Sequence, residues 1–203
     1  MSRMLHLRIG VLIVAAATAQ TPALRQGVSV QMPVSTSAAP MPDADLPDSL
    51  IVAVTGQGDV YLEVTKSTPA QLSEKVRAAV AGHPGKRVYV KGDVRAPYST
   101  VAEVLDALRT AGVNAPILLA AQRDATDSSY VAPKGLEVLL SAPAGQVAAL
   151  KAGSSDAELE KQVRKGQMVM LQADGTMPFG QIVHAVDVCH AAGSKVILAI
   201  SGK

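Results

Sequence analysis

Aromatic side chains are scarce in this chain. Tyr61, Tyr89, Tyr98, Tyr130 and Phe179 make up 2% of its 203 residues, and tryptophan is absent. Single-stranded nucleic acids are bound on stacked aromatic rings, so no nucleic-acid partner is expected. One cysteine, Cys189, excludes a disulfide within the chain and leaves the redox compartment open. The net charge of +2 argues neither for nor against nucleic acid. No G-x-S-x-G, Walker A, H-E-x-x-H or G-x-G-x-x-G motif occurs, so the expectation is a protein that is not an enzyme and holds no cofactor. Acidic residues are missing from the first part of the chain, where the earliest is Asp43.

That first part is chemically distinct. Arg3 and Arg8 precede an uncharged run from Ile9 to Ala19, which ends in Ala17-Thr18-Ala19. A basic flank, an apolar run and an A-x-A site describe a secretory signal peptide. Counted from Met4 the run reaches about 16 residues, short of the roughly 20 of a membrane span, although His6 and Arg8 could snorkel. Residues 1–26 are therefore read as an anchor or a signal-peptide-like segment. In both readings the basic flank stays inside and the bulk of the chain crosses the membrane.

The rest of the chain states one pattern twice. KGDVRAPYSTVAEVLDALRTAG (91–112) and QADGTMPFGQIVHAVDVCHAAG (172–193) align at a constant shift of 81, which is 172 minus 91. The shift places Asp93 on Asp174, Pro97 on Pro178, Asp106 on Asp187 and Gly112 on Gly193, with Tyr98 on Phe179. Punctuation residues kept at fixed offset mark a repeated fold unit.

Residues 27–49 hold four prolines and read as an extended tether, with Gly27–Gln31 able to add a short strand. The first unit, 50–122, has a strand at 50–55, a turn at Gly56–Asp59 and a strand at 60–64. Thr68-Pro69 opens a helix, and strand 87–90 follows. Pro97 opens a second helix with a Val101, Val104, Leu105, Leu108 stripe, and strand 117–121 is last. After a polar linker at 123–134, the second unit (135–203) repeats this order with a shorter first helix. It has strands at 136–141 and 146–150, a helix at 156–165, a strand at 168–173, a helix at 178–192 and a strand at 195–200. The fold class is α+β: two small β-β-α-β-α-β units, each a sheet with two helices on one face. The opposite sheet face is expected to be half exposed. Val101, Leu105, Leu108, Ile182, Val186 and Cys189 are expected to be buried.

Asp93, Pro97, Tyr98 and Asp174, Pro178, Phe179 lie where a strand hands over to a helix. They are candidate recognition residues, or turn residues in which Asp binds free backbone N–H groups and Pro starts the helix. Asp106 and Asp187 are expected to be solvated. His184, Cys189 and His190 are spaced by five and six, against the i, i+4 spacing of helical metal ligands, so no metal is expected. The candidate for a strand-accepting edge is Gly27–Gln31 or Leu50–Thr55, with Val52 and Val54.

The N-terminal apolar segment, TPALRQGV at Thr21–Val28, the GDVYL turn, and ADGTMPFGQIVHAVDVCHAAG together resemble the ExbD/TolR family of biopolymer transport proteins. The stretch from Thr21 to Gln122 resembles one whole periplasmic region, and 135–203 a second copy of the same domain. The resemblance implies a stator component of a proton-driven motor at the bacterial inner membrane, single-pass with its bulk in the periplasm. The implied partners are a channel protein of the ExbB/TolQ type, a transducer such as TonB or TolA, peptidoglycan, and a second copy of the chain in a homodimer. The chain departs from the family in one respect: the membrane aspartate that relays protons would fall near Arg8, and no acidic residue occurs there. Either the chain starts upstream, or it is a paralogue that kept the periplasmic module without the relay, released as a soluble periplasmic adaptor.

Overall fold

The computed structural model describes residues 28–83, 85–121, 133–142 and 147–199. The anchor or signal segment, most of the 123–134 linker and the turn at 143–146 lie outside them. The protein is mixed α+β, with four helices and two sheets. The strands are β1 (Ala39–Pro40), β2 (Leu50–Val54), β3 (Val60–Leu62), β4 (Thr65–Ser67), β5 (Val88–Gly92), β6 (Ile117–Ala120), β7 (Lys134–Glu137), β8 (Ala148–Lys151), β9 (Met168–Gln172) and β10 (Lys195–Leu198). The helices are α1 (Pro69–Ala81), α2 (Tyr98–Thr110), α3 (Asp156–Gln162) and α4 (Phe179–Ala191).

Local chemistry explains the helix ends. Thr68 caps α1 reciprocally: Gln71 N–H donates to Thr68 Oγ1 at 3.4 Å and Thr68 N–H to Gln71 Oε1 at 3.3 Å. After α2 and α4 the chain must turn through the left-handed region. Gly112 and Gly193, at φ 94° and 80°, do this without a Cβ clash.

In the first half, β2 lies between β3, antiparallel, and β5, parallel, and β6 continues the parallel set. β4 extends the hairpin and was not expected from the sequence. In the second half the strands pair in a different order from the first. The expected hairpin between 136–141 and 146–150 does not form. β7 instead runs antiparallel to β6, and beyond it Leu139 bridges to Ile197 in parallel. β8 runs parallel to β9, and β9 to β10. Thus β8-α3-β9-α4-β10 corresponds to β2-α1-β5-α2-β6, with no hairpin between β8 and α3. A hairpin requires that two consecutive strands have no better neighbours; here β6 and β10 offer β7 a partner on each side. The seven-stranded sheet has the order β1-β7-β6-β5-β2-β3-β4 and the three-stranded sheet β10-β9-β8.

Val52, Val90, Leu118, Leu136, Val169 and Leu198 point to one face of these sheets, where they form one core with all four helices. Val101, Leu105, Leu108, Ile182, Val186 and Cys189 are all fully buried in it, as their helical spacing predicts. Ile51, Tyr89, Ile117 and Leu119 point to the other face.

In the seven-stranded sheet that second face is covered. Residues 28–49 are not a free tether: Met32, Met41 and Ala44 pack on Ile51, Tyr89, Ile117 and Leu119, and β1 pairs with β7. Pro40 lies in the extended β1, and Pro42 opens a short 3-10 turn, Pro42–Asp45, that seats Ala44 on the sheet. The expected half-exposed face is therefore absent from this sheet, where Leu50–Val54 is buried along its whole length, whereas in the three-stranded sheet Met168 and Met170 are half-buried and Ala149 and Lys151 exposed on that face.

Candidate functional site

The two strand-to-helix junctions singled out in the sequence meet each other. Pro97 and Pro178 face one another in an antiparallel bridge. Tyr98 N–H donates to Met177 C=O at 2.9 Å, and Phe179 N–H donates to Ala96 C=O at 2.8 Å. One residue further on, Ser99 N–H donates to Gly175 C=O at 2.8 Å and Gly180 N–H to Val94 C=O at 3.0 Å.

The physical reason lies in the prolines. The first amides of a helix have no partner inside it. Pro97 and Pro178 occupy the N-cap positions of α2 and α4, and neither helix has a side-chain cap. Each helix start is capped instead by carbonyls of the opposite loop. Close approach demands small residues at the crossing. A Cβ on Gly92 would lie 2.4 Å from the Phe179 ring, and one on Gly180 would lie 2.4 Å from Val94 Cγ2. Tyr98 and Phe179 are both buried. Burial pushes the Tyr98 hydroxyl up to about 12.

The aspartates at the two junctions differ. Asp93 is 3% exposed. It accepts from Arg95 Nε at 2.8 Å, from a second Arg95 guanidinium nitrogen at 3.0 Å, from Arg95 N–H at 3.0 Å and from Gln31 N–H at 3.1 Å. The Arg95 guanidinium is the main reason its carboxyl is held down at about 2, against the opposing effect of burial. Asp174 is exposed and accepts from Thr176 N–H at 2.8 Å and Thr176 Oγ1 at 2.5 Å, closing its own turn. The Thr176 hydroxyl lowers its pKa.

Asp187, expected in water, is buried and bonded on both carboxylate oxygens. It is 6% exposed. It accepts from Ser35 Oγ at 2.6 Å, Thr36 N–H at 2.9 Å, Thr36 Oγ1 at 3.0 Å and Ser37 N–H at 2.8 Å, and also from Ser37 Oγ. Burial works against its charge, but the hydroxyls of Ser35 and Ser37 and the amides of Thr36 and Ser37 outweigh it, holding the carboxyl at about 2. The signal missed in the sequence was double: a carboxylate between the apolar residues Val186 and Val188, and a run of three hydroxyl residues with no acidic neighbour. Asp106 is half exposed and pairs with Arg109 at 2.5 Å.

Val52 and Val54 are not at an edge. They sit in β2 between β3 and β5, opposite Leu62 and Val60 on one side and Val90 and Gly92 on the other. Both are fully buried. Gly27 lies outside the described residues, and Gln31 is bonded to the Asp93 turn, its carbonyl accepting from Val94 N–H at 2.7 Å. His184 and Asp156 form a surface pair at 2.8 Å. Among the described residues, no group of three or more His, Cys, Asp or Glu could hold a metal ion, and no helix is long and apolar enough to cross a membrane. A cleft of about 790 Å³ lies between α1, α2 and the loop Ala173–Gly175, lined by Ser73, Ser99, Glu103 and Arg109 among others.

The hydrogen bonds at the two junctions and at Asp187 hold segments of this chain to one another. Residues 4–123, more than half of the 203, match the family described as biopolymer transport protein ExbD/TolR. The chain belongs to that family, whose members are transport accessory proteins. The match spans the N-terminal segment and the first half of the fold, and ends before β7. No curated protein matches the chain.

Proposed function

We propose that this chain is a non-enzymatic component of a proton-motive-force-driven, energy-transducing transport system at the bacterial inner membrane. The observation that carries the reading is the family match over residues 4–123, which includes the apolar N-terminal segment together with β1 to β6. Residues 1–26 anchor the chain and the remainder lies in the periplasm. An ExbB/TolQ-type channel receives the anchor. A TonB- or TolA-like transducer, or peptidoglycan, meets the folded part. Among the described residues the seven-stranded sheet ends in β1 and β4 and the three-stranded sheet in β10 and β8; β10 is bridged to Leu139 and β1 is two residues long, so β4 and β8 replace β2 as the edges where a transducer strand would add.

A second reading is favoured by one observation, the absence of any acidic residue before Asp43. Residues 1–42 offer no carboxylate for a proton relay. The protein would then be a periplasmic adaptor that binds the transducer or peptidoglycan after signal cleavage.

Membrane fractionation with N-terminal sequencing, followed by affinity co-purification, separates the two. Retention in the membrane through a carbonate wash, with co-purification of the channel protein, is the expected result. Soluble protein beginning at Gln20 would establish the adaptor reading. Failure to co-purify with channel, transducer or peptidoglycan would end the transport reading altogether.

A further inference from the structure

Two-fold association of like units has a signature: residue i of one unit contacts residue j of the other, and j contacts i in return. The junction of α2 and α4 carries that signature inside a single chain. The shift of 81 that relates the sequence repeats turns Tyr98 into Phe179 and Ala96 into Met177. The bond from Tyr98 N–H to Met177 C=O therefore becomes the bond from Phe179 N–H to Ala96 C=O, and both exist. It likewise turns Ser99 and Val94 into Gly180 and Gly175, and both of those reciprocal bonds exist as well.

The sheets obey the same operation independently. β7 is antiparallel to β6 and, through Leu139, parallel to β10. The parallel sets β2-β5-β6 and β8-β9-β10 therefore run in opposite directions on either side of β7, as a two-fold axis perpendicular to the sheets requires. The junction is also closed to solvent at its centre, where Phe179 fills the space left by Gly92. Neither half is complete alone, because the first amides of each helix bond to carbonyls of the other.

We infer that the second half of this chain is the built-in two-fold partner of the first. It occupies, within the same molecule, the surface on which a second copy of the first half would pair. One chain presents the complete two-fold unit, and the α2–α4 face is closed to a second copy and to a transducer segment. This differs from the homodimer that the family resemblance led us to expect, and it does not rest on the transport reading.

The test uses the full chain in detergent. The bridge at Pro97 and Pro178 is a non-hydrogen-bonded antiparallel pair, whose Cα atoms lie about 4.5 Å apart, within disulfide reach. Pro97→Cys with Pro178→Cys, oxidised with copper phenanthroline, is expected to give a link within one chain, seen as a monomer whose gel mobility changes on reduction. Each single variant is expected to remain uncrosslinked. A covalent dimer from the double variant would mean that halves are exchanged between chains. A covalent dimer from either single variant would mean that like halves meet between chains. Either result, or no link at all, overturns the inference. Because these prolines begin helices, amide exchange in the unmodified chain gives a second measurement. The Tyr98, Ser99, Phe179 and Gly180 amides are expected to exchange slowly and at a rate unchanged by dilution, and faster exchange on dilution would overturn it equally.

Discussion

Asp106 and Asp187 occupy the same place in two corresponding helices, yet one faces water and the other is sealed beneath a loop. The helices themselves do not differ enough to explain this. The difference comes from Ser35–Ser37, which crosses α4 and not α2. Asp93 and Asp174 repeat the contrast. Asp93 closes its turn and also holds Gln31, whereas Asp174 only closes its turn. Residues aligned in the sequence thus acquire different roles from their contacts with the N-terminal segment. The N-terminal segment breaks the symmetry of the two halves by binding one aspartate from each pair.

The comparison can be broken at several points. Leu105→Ala in α2 removes a fully buried side chain from the shared core and should cost about 2–5 kcal/mol, the range for large-to-small core changes. Urea unfolding checks it, and because the core is common to both halves, a single transition should shift as a whole.

Asp187→Ala should cost about 2–4 kcal/mol. It leaves several donors of Ser35–Ser37 buried without their acceptor. Asp106→Ala, at the corresponding site, should cost under about 1 kcal/mol, since an exposed ion pair contributes little. Equal losses in paired thermal melts would remove the asymmetry.

Gly92→Ala places a methyl group against the Phe179 ring and should cost about 1–3 kcal/mol through overpacking. Gly92→Ala combined with Phe179→Leu should recover part of that loss, measured as a positive coupling in a double-mutant cycle.

Acid sharpens the comparison further. The folded pKa of Asp187 is about 2, below its ordinary value of 3.8. A depressed carboxylate stabilises the fold above its unfolded pKa, and that contribution fades as pH falls through the folded pKa. About 2 kcal/mol should be lost between roughly pH 4 and pH 2. Asp93 titrates in the same window and the same direction. Asp187→Asn should flatten the pH dependence of the melting temperature there.

The helices were legible because their signals are local. Thr68-Pro69, Gly112, Gly193 and the apolar stripes at three- and four-residue spacing set their ends and buried faces wherever they pack. The Asp and Pro punctuation marked the two junctions by the same logic. Strand partners were not legible in this way. β7 and β8 read as a hairpin by their closeness in sequence, and β2 read as an edge. Hydrogen-bond partners in a sheet are chosen among all strands that the fold brings near, and β6 and β10 were nearer to β7 than β8 was. The site was equally hidden: Asp187 and Ser35 lie far apart along the chain, and nothing local to either names the other.

By itself, then, the sequence determined the α+β class, the helices, their buried stripes and the family to which the chain belongs. These follow from periodicity, turn chemistry and motif order, all of which act over a few residues. The tertiary structure alone decided which strands pair, which aspartate is buried, and that residues 28–49 lie against the sheet. Each of those outcomes is a competition among distant groups for the same partner, and packing settles it only once the whole chain is in place.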